Sequence, residues 1–300
     1  MNAKQLSHEW FEKRKLRITG SRIGAILGVS PWQKPEDVLR AMVREYHGAE
    51  SEFVDNPAVQ HGRMNESRAR LAFMRETGLH IEECGFFEYG DRMGASPDAL
   101  TSDGGVLEVK VPFGLRNEQE AKFKSLREQP HYYAQVQMEL LSTGRGHGYF
   151  VQYVAPKGDP LSYDYVPEQI NIERVDAEPQ WVDDVLPAVN SFYARLIAEL
   201  DNPEHLEPLR VEVNTPEAGL ILTEIDKLRQ RQKEDKERES ELLDELKVMA
   251  DGKDALVHGR RLTKVVREGS VSYSRIVKEH LPDLGLEPYR GKGSESWRLT

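Results

Sequence analysis

Between Leu79 and Val111 the chain loses its helical spacing. It breaks into short apolar runs, IEECGFFEYG, RMGASPDAL and GGVLEVKV, each cut by Gly, Asp or Pro. Such runs read as consecutive strands of a meander. Before them the period is helical. A short helix is expected through Trp10 and Phe11, and a second from near Thr19 or Ser21, either of which can cap it. Pro35 opens PEDVLRAMVREYHG, with Val38, Leu39, Met42 and Val43 as its apolar face and Gly48 as its stop. Pro57 opens a longer helix, roughly Ala58 to Thr77, ended by Gly78.

After the strands, QPHYYAQVQMELLSTG returns to helical spacing with Tyr133, Val136, Leu140 and Leu141 inward. GYFVQYV and LSYDYV alternate as strands. From about Ile170 to Leu200 the apolar spacing is again helical, with Pro187 as a break or bend. This order predicts an α/β core, a mixed central sheet flanked by helices, over residues 1–208. Beyond it, residues 209–252 make a long charged helical segment. Its middle, RQRQKEDKERESE, holds no apolar residue, so a solvated helix is expected rather than a coiled-coil arm. Residues 253–300 look like a small module of strand, helix and strand.

Composition narrows the classes. No apolar run approaches the roughly 20 residues a membrane helix needs, and the first residues lack a secretory apolar stretch, which points to the cytoplasm. Cys84 is the single cysteine, which excludes an internal disulfide, a CxxC zinc site and a cysteine-held iron–sulfur cluster. The nine histidines show no HxxxH or HExxH spacing. The net charge of −10 argues against indiscriminate coating of nucleic acid, yet Met1 to Arg22 carries +4 locally.

The chemistry concentrates on Asp98 in SPDAL and on Glu108 and Lys110 in LEVK. Residues two apart on a strand share a side, so Glu108 and Lys110 face one cleft with Val109 behind them. The turn Ser102-Asp103-Gly104-Gly105 can bring Asp98 beside Glu108. Two carboxylates aimed at one point suit magnesium or manganese rather than zinc. A lysine alongside can orient a water or neutralise charge on a phosphoryl oxygen. Taken alone, the triplet also fits a surface cross-strand pair.

The surroundings extend the pattern. SPDALTSDGGVLEVKVPF followed by HYYAQVQMELL resembles the PD-(D/E)XK nucleases of the lambda exonuclease, or YqaJ viral recombinase, type. Upstream, Trp10, Arg14, Arg17, Ile18, Thr19 and Ser21 match the family's W-x3-R-x2-R-[IV]-T-x-S, and HGRMNESRARLAF matches its acidic helix. The resemblance covers about Trp10 to Tyr153. It implies a restriction-endonuclease-like core, with the C-terminal helix and small α/β module outside it.

The resemblance further implies a role for each matching position. Asp98 and Glu108 would bind the catalytic metal with the main-chain carbonyl of Val109, and Glu66 would complete a second position or hold a water there. Lys110 would position or activate the attacking hydroxide, and Gln135 would fix its direction. Both Gln135 and Gln137 are candidates in AQVQ, and the pattern favours the first. Arg14 and Ser21 match the binders of a terminal 5′-phosphate beside a helix N-terminus, with Arg17 as a further backbone contact. Trp10 and Trp32 are expected as core aromatics.

The implied activity is a Mg2+-dependent (Mn2+ being the alternative) 5′→3′ double-strand DNA exonuclease of a phage or prophage recombination system. Its implied partners are double-stranded DNA ends, a single-strand annealing protein and further copies of itself in a trimeric ring. The alternatives are an endonuclease of the same superfamily, or a DNA-end-binding scaffold that recruits an annealing protein.

Overall fold

A computed structural model describes residues 7–51, 56–208 and 213–265, with 277, 280, 281 and 284. Two compact units divide the chain, Met1–Val211 and Glu212–Thr300. In the first, α1 spans His8–Arg14, β1 Ile18–Thr19, α2 Gly20–Ile26, α3 Pro35–Tyr46 and α4 Pro57–Thr77. Then come β2 (Ile81–Glu82), β3 (Phe87–Tyr89), β4 (Met93–Ala95), β5 (Ala99–Thr101) and β6 (Val106–Lys110). Helix α5 (Pro130–Thr143), β7 (His147–Val154), β8 (Gln169–Asp176) and α6 (Trp181–Ala198) complete the unit.

The helix boundaries follow local chemistry. The Lys34 N–H donates to Asp37 at 2.8 Å, closing the first turn of α3, and Val38, Leu39, Met42 and Val43 are all buried. Asn56 caps α4 by accepting from the N–H groups of Ala58 and Val59. Gly78 stops it with φ of 72°, a left-handed conformation that glycine adopts without steric cost.

The main sheet runs β2-β5-β6-β7-β8, with β6 and β7 parallel and the other pairs antiparallel. Leu107, Val109, Val151 and Tyr153 cover one face and pack on Ala69, Ala72 and Phe73 of α4. Val106 and Phe150 point the other way, onto Val136 and Leu140 of α5. The alternation of β6 thus sends Glu108 and Lys110 toward α5.

Three expectations need correction. The strands between Leu79 and Val111 are not one meander: β4 leaves β5 and joins a separate sheet, β1-β4-β3, pairing in parallel with β1. The break falls at Ser96-Pro97-Asp98, where a proline cannot donate to a ladder. LSYDYV is not a strand; only Val166 makes an isolated bridge, to Lys157. The partner of β7 is instead β8, within a stretch expected to be helical. Ile170 and Ile172 alternate there and pack beside the α4 cluster, and the helix starts only at Trp181, after Pro179.

In the second unit, α7 (Pro216–Met249) is a single helix of 34 residues with no buried residue among those described, and a hairpin of β9 (Ala255–Val257) and β10 (Arg260–Leu262) follows. Of the helix expected beyond β10, Val277 and His280 are described and helical, and the Leu281 N–H donates to the Val277 carbonyl at 2.9 Å; the final strand lies outside the described residues. No described helix is long and apolar enough to cross a membrane.

Candidate active site

The turn before β6 is built by Asp103, which accepts from Thr101 Oγ1 at 2.6 Å, Tyr149 OH at 2.7 Å and His147 Nε2 at 3.1 Å. These bonds outweigh the cost of desolvation and hold the Asp103 carboxyl well below the usual range. With that turn closed, Ala99 pairs with Leu107 and the Asp98 N–H donates to the Leu107 carbonyl at 3.0 Å. Asp98 therefore stands opposite Glu108 across an antiparallel ladder, on the same side. The Val109 N–H donates to Asp98 Oδ2 at 2.7 Å and fixes the carboxylate against β6.

Glu108 is 2% exposed. Its Oε1 accepts from Lys110 Nζ at 2.5 Å and from Gln135 Nε2 at 2.6 Å. Gln135 Oε1 in turn accepts from Lys110 Nζ at 3.3 Å, so the three side chains form a closed triangle. The Tyr132 ring lies 4.8 Å from the ammonium, one turn before Gln135 on α5. Gln137 points elsewhere: it donates to the Asp176 carbonyl and accepts from the Glu178 N–H, tying α5 to the end of β8.

The site is short of positive charge. Burial, then the Glu108 and Glu66 carboxylates, push the Asp98 carboxyl well above its ordinary value, against the opposing pull of Lys110 and the Val109 N–H. Burial works to neutralise Lys110, but Glu108, Tyr132 and Asp98 together hold its ammonium above the usual lysine range. Glu108 Oε2 is buried, and among the described residues no N–H or alcohol O–H donor reaches it.

Glu139 is a member of this group that the sequence analysis did not single out. It is 1% exposed, four residues after Gln135 on the same helix face, and accepts from Gln135 Nε2 at 3.0 Å. Burial and the charges of Glu108 and Asp98 push its carboxyl well up. The signal was a lone glutamate inside the apolar run QMELL. Gln135 thus donates to two carboxylates, which leaves its oxygen for Lys110.

Glu66 stands apart. It is ion-paired with Arg70 one turn along α4, Oε1 to Nη2 at 2.5 Å. Among the described residues no three His, Cys, Asp or Glu side chains are arranged to hold a metal as they stand. Nevertheless the donor chemistry fits a hard divalent cation. Two carboxylates oppose each other, one buried oxygen lacks a donor among the described residues, and burial together with like charge raises the Asp98 carboxyl.

The basic N-terminal segment makes a second feature. The Arg14 guanidinium lies 4.0 Å from the Trp10 ring centroid and 5.8 Å from that of Phe86. Burial and the Arg22 charge lower it to about 10, against a smaller upward effect of Glu45. Arg17 is already engaged, donating at 2.9 Å to both the Lys13 carbonyl and Glu88. Ser21 is exposed near the start of α2, its hydroxyl 3.2 Å from that of Thr19. Trp10 donates through Nε1 to Ser96 Oγ at 2.9 Å, tying α1 to the segment that carries Asp98. Trp32, expected in the core, is 66% exposed.

An Asp from one strand end, Glu-x-Lys on the next strand and a Gln from the following helix, on a mixed sheet flanked by helices, define the PD-(D/E)XK nuclease fold. Residues 9–146 match the YqaJ-like viral recombinase domain. No curated protein sequence matches the chain. Among solved structures it is similar to LHK-Exo in complex with dAMP, at 26% identity and a TM-score of 0.51, covering 65% of this chain and 95% of that one. It is likewise similar to the alkaline exonuclease LHK-Exo from Laribacter hongkongensis, at 26% identity and a TM-score of 0.50, covering 66% and 96%.

Proposed function

We propose that the chain is a Mg2+-dependent nuclease that degrades double-stranded DNA from 5′ ends, exposing 3′ overhangs for single-strand annealing. The observation that carries this reading is the Asp98–Glu108 pair closed by Lys110 and Gln135. A relative's description as an alkaline exonuclease, and its complex with a 5′-mononucleotide, support the same reaction class.

Asp98, Glu108 and the Val109 carbonyl would hold a divalent cation, and Glu66 would join them once it releases Arg70. When bound, that cation stabilises the charge that builds on the phosphate oxygens. The protein does the rest. Lys110, kept charged by Glu108, donates to the attacking oxygen or to a phosphoryl oxygen. Gln135 restricts where the Lys110 ammonium can point, and Tyr132 closes its far side. Arg14, seated on Trp10 with no carboxylate ion-paired to it among the described residues, serves with Ser21 as receiver of the 5′-phosphate. Contacts of this kind carry no base information, which suits degradation without sequence preference. Copies of the chain would form a ring around the duplex, and light scattering of the full chain tests that assembly.

Digestion of linear duplexes labelled separately on each strand tests the reading. Mg2+-dependent loss of label from 5′ ends is expected, with covalently closed circles left intact. Lys110→Ala should bind DNA yet turn over at least ~100-fold more slowly, as expected for loss of a positioned donor. Cutting of closed circles would replace the exonuclease with an endonuclease. No loss of either strand would remove the nuclease reading altogether.

A further inference from the structure

Trp32 stands on the loop between α2 and α3, and that loop is not slack. Gly28 turns the chain with φ of 72°, and the Val29 and Ser30 N–H groups donate to the Gly24 carbonyl at 2.9 and 3.0 Å. The N–H groups of Trp32 and Gln33 both donate to Ser30 Oγ at 3.3 Å. α3 begins at Pro35. Gly24 also permits the approach of α2 to α5, since a Cβ there would lie 2.9 Å from His131. The loop is thereby pressed against the N-terminal turn of α5.

There the indole meets an aromatic row. Its centroid is 4.6 Å from the His131 ring and 5.7 Å from Tyr132, and the Tyr132 ring carries the Lys110 ammonium at 4.8 Å. One side of the indole is thus seated on α5, two ring contacts from Lys110. The rest is open, leaving the side chain 66% exposed. A large apolar ring in a fixed backbone has already lost its conformational freedom, so covering it gains apolar burial at little further entropic cost.

We propose that Trp32 is the stacking platform for a nucleobase of the DNA held at the site, the ring of the nucleotide whose phosphate lies beside Lys110. Any base offers a π-face, so the platform is tolerant of sequence. The inference deepens the nuclease reading and rests on it for the identity of the ligand.

Titration calorimetry with two probes tests it on the full chain: dAMP, which has a base and no phosphodiester to cleave, and deoxyribose 5-phosphate, which lacks the base. Trp32→Ala should weaken dAMP about 5- to 150-fold, the range for removing one base–aromatic stack. It should leave deoxyribose 5-phosphate unchanged and the melting temperature within error. Trp32→Tyr should stay within about 3-fold of wild type for dAMP, since another ring restores the stack. In duplex digestion the loss should fall on KM rather than kcat.

Unchanged dAMP binding by Trp32→Ala, equal loss of both probes, or no dAMP binding by the wild type would each overturn the platform. A wild type that binds dAMP through Trp32 but cuts no DNA would overturn the nuclease reading and leave the platform standing. Digestion with dAMP binding indifferent to Trp32 would do the reverse.

Discussion

The carboxylate site and the Arg14 seat are opposite cases of the same electrostatic problem. At the first, Asp98, Glu108 and Glu139 converge with one lysine among them, and a buried Glu108 oxygen has no N–H or alcohol O–H donor among the described residues. At the second, a guanidinium is half-buried on aromatic rings, with Arg22 adding like charge. Leaving buried charge unpaired costs stability, and the function proposed above offsets that cost at each place with a ligand, a cation at the first and an anion at the second. Elsewhere the protein balances itself: Arg17 meets Glu88, Arg70 meets Glu66 and Arg75 meets Glu168.

The largest effect that sharpens this contrast is at Asp98. Asp98→Asn removes a charge that the metal-free protein resists, so hydrolysis should fall by ~1000-fold or more while the metal-free melting temperature holds or rises. Parallel kinetics and calorimetry check it. A variant that loses activity and stability together would make Asp98 a structural residue.

The Arg14 seat should respond more mildly and only to end chemistry. Arg14→Gln is expected to cut the preference for 5′-phosphorylated over 5′-hydroxyl ends by about 10-fold, the scale of one charge-assisted contact. Digestion of both ends by wild type and variant measures it. Unaltered preference would remove Arg14 from the phosphate site.

The smallest expected effect is a pH dependence. The raised Asp98 carboxyl stays protonated in the folded protein after the unfolded chain has lost that proton. Metal-free stability from this group therefore falls as pH rises from the ordinary carboxylate range through the raised value. A divalent cation removes that penalty by occupying the site. The rise in melting temperature on adding Mg2+ should accordingly grow as pH climbs above the ordinary carboxylate range, and a shift that shrinks with pH would contradict the coupling.

Much of this was legible in the sequence because it was written in local spacing. Glu108-Val109-Lys110 on a strand leaves no choice about which two side chains share a face. Pro35, Pro57, Gly48 and Gly78 mark helix limits by backbone chemistry. What was not legible depended on neighbours far along the chain. Ile170 and Ile172 fit either period until β7 offers them a partner. β4 and β5 look like one hairpin series until β1, far upstream, captures β4. Glu139 carries no mark of its own in QMELL until β6 is laid against α5. Trp32 is apolar and was expected inside, but its loop is tied to Gly24 and carries it outward.

Diffraction from crystals grown with Mn2+, recorded for its anomalous signal, tests the central claim most directly. The account predicts one strong peak within about 2.0–2.4 Å of carboxylate oxygens of both Asp98 and Glu108, as hard-cation coordination requires. A peak that touches neither residue, or none at saturating Mn2+, would contradict it.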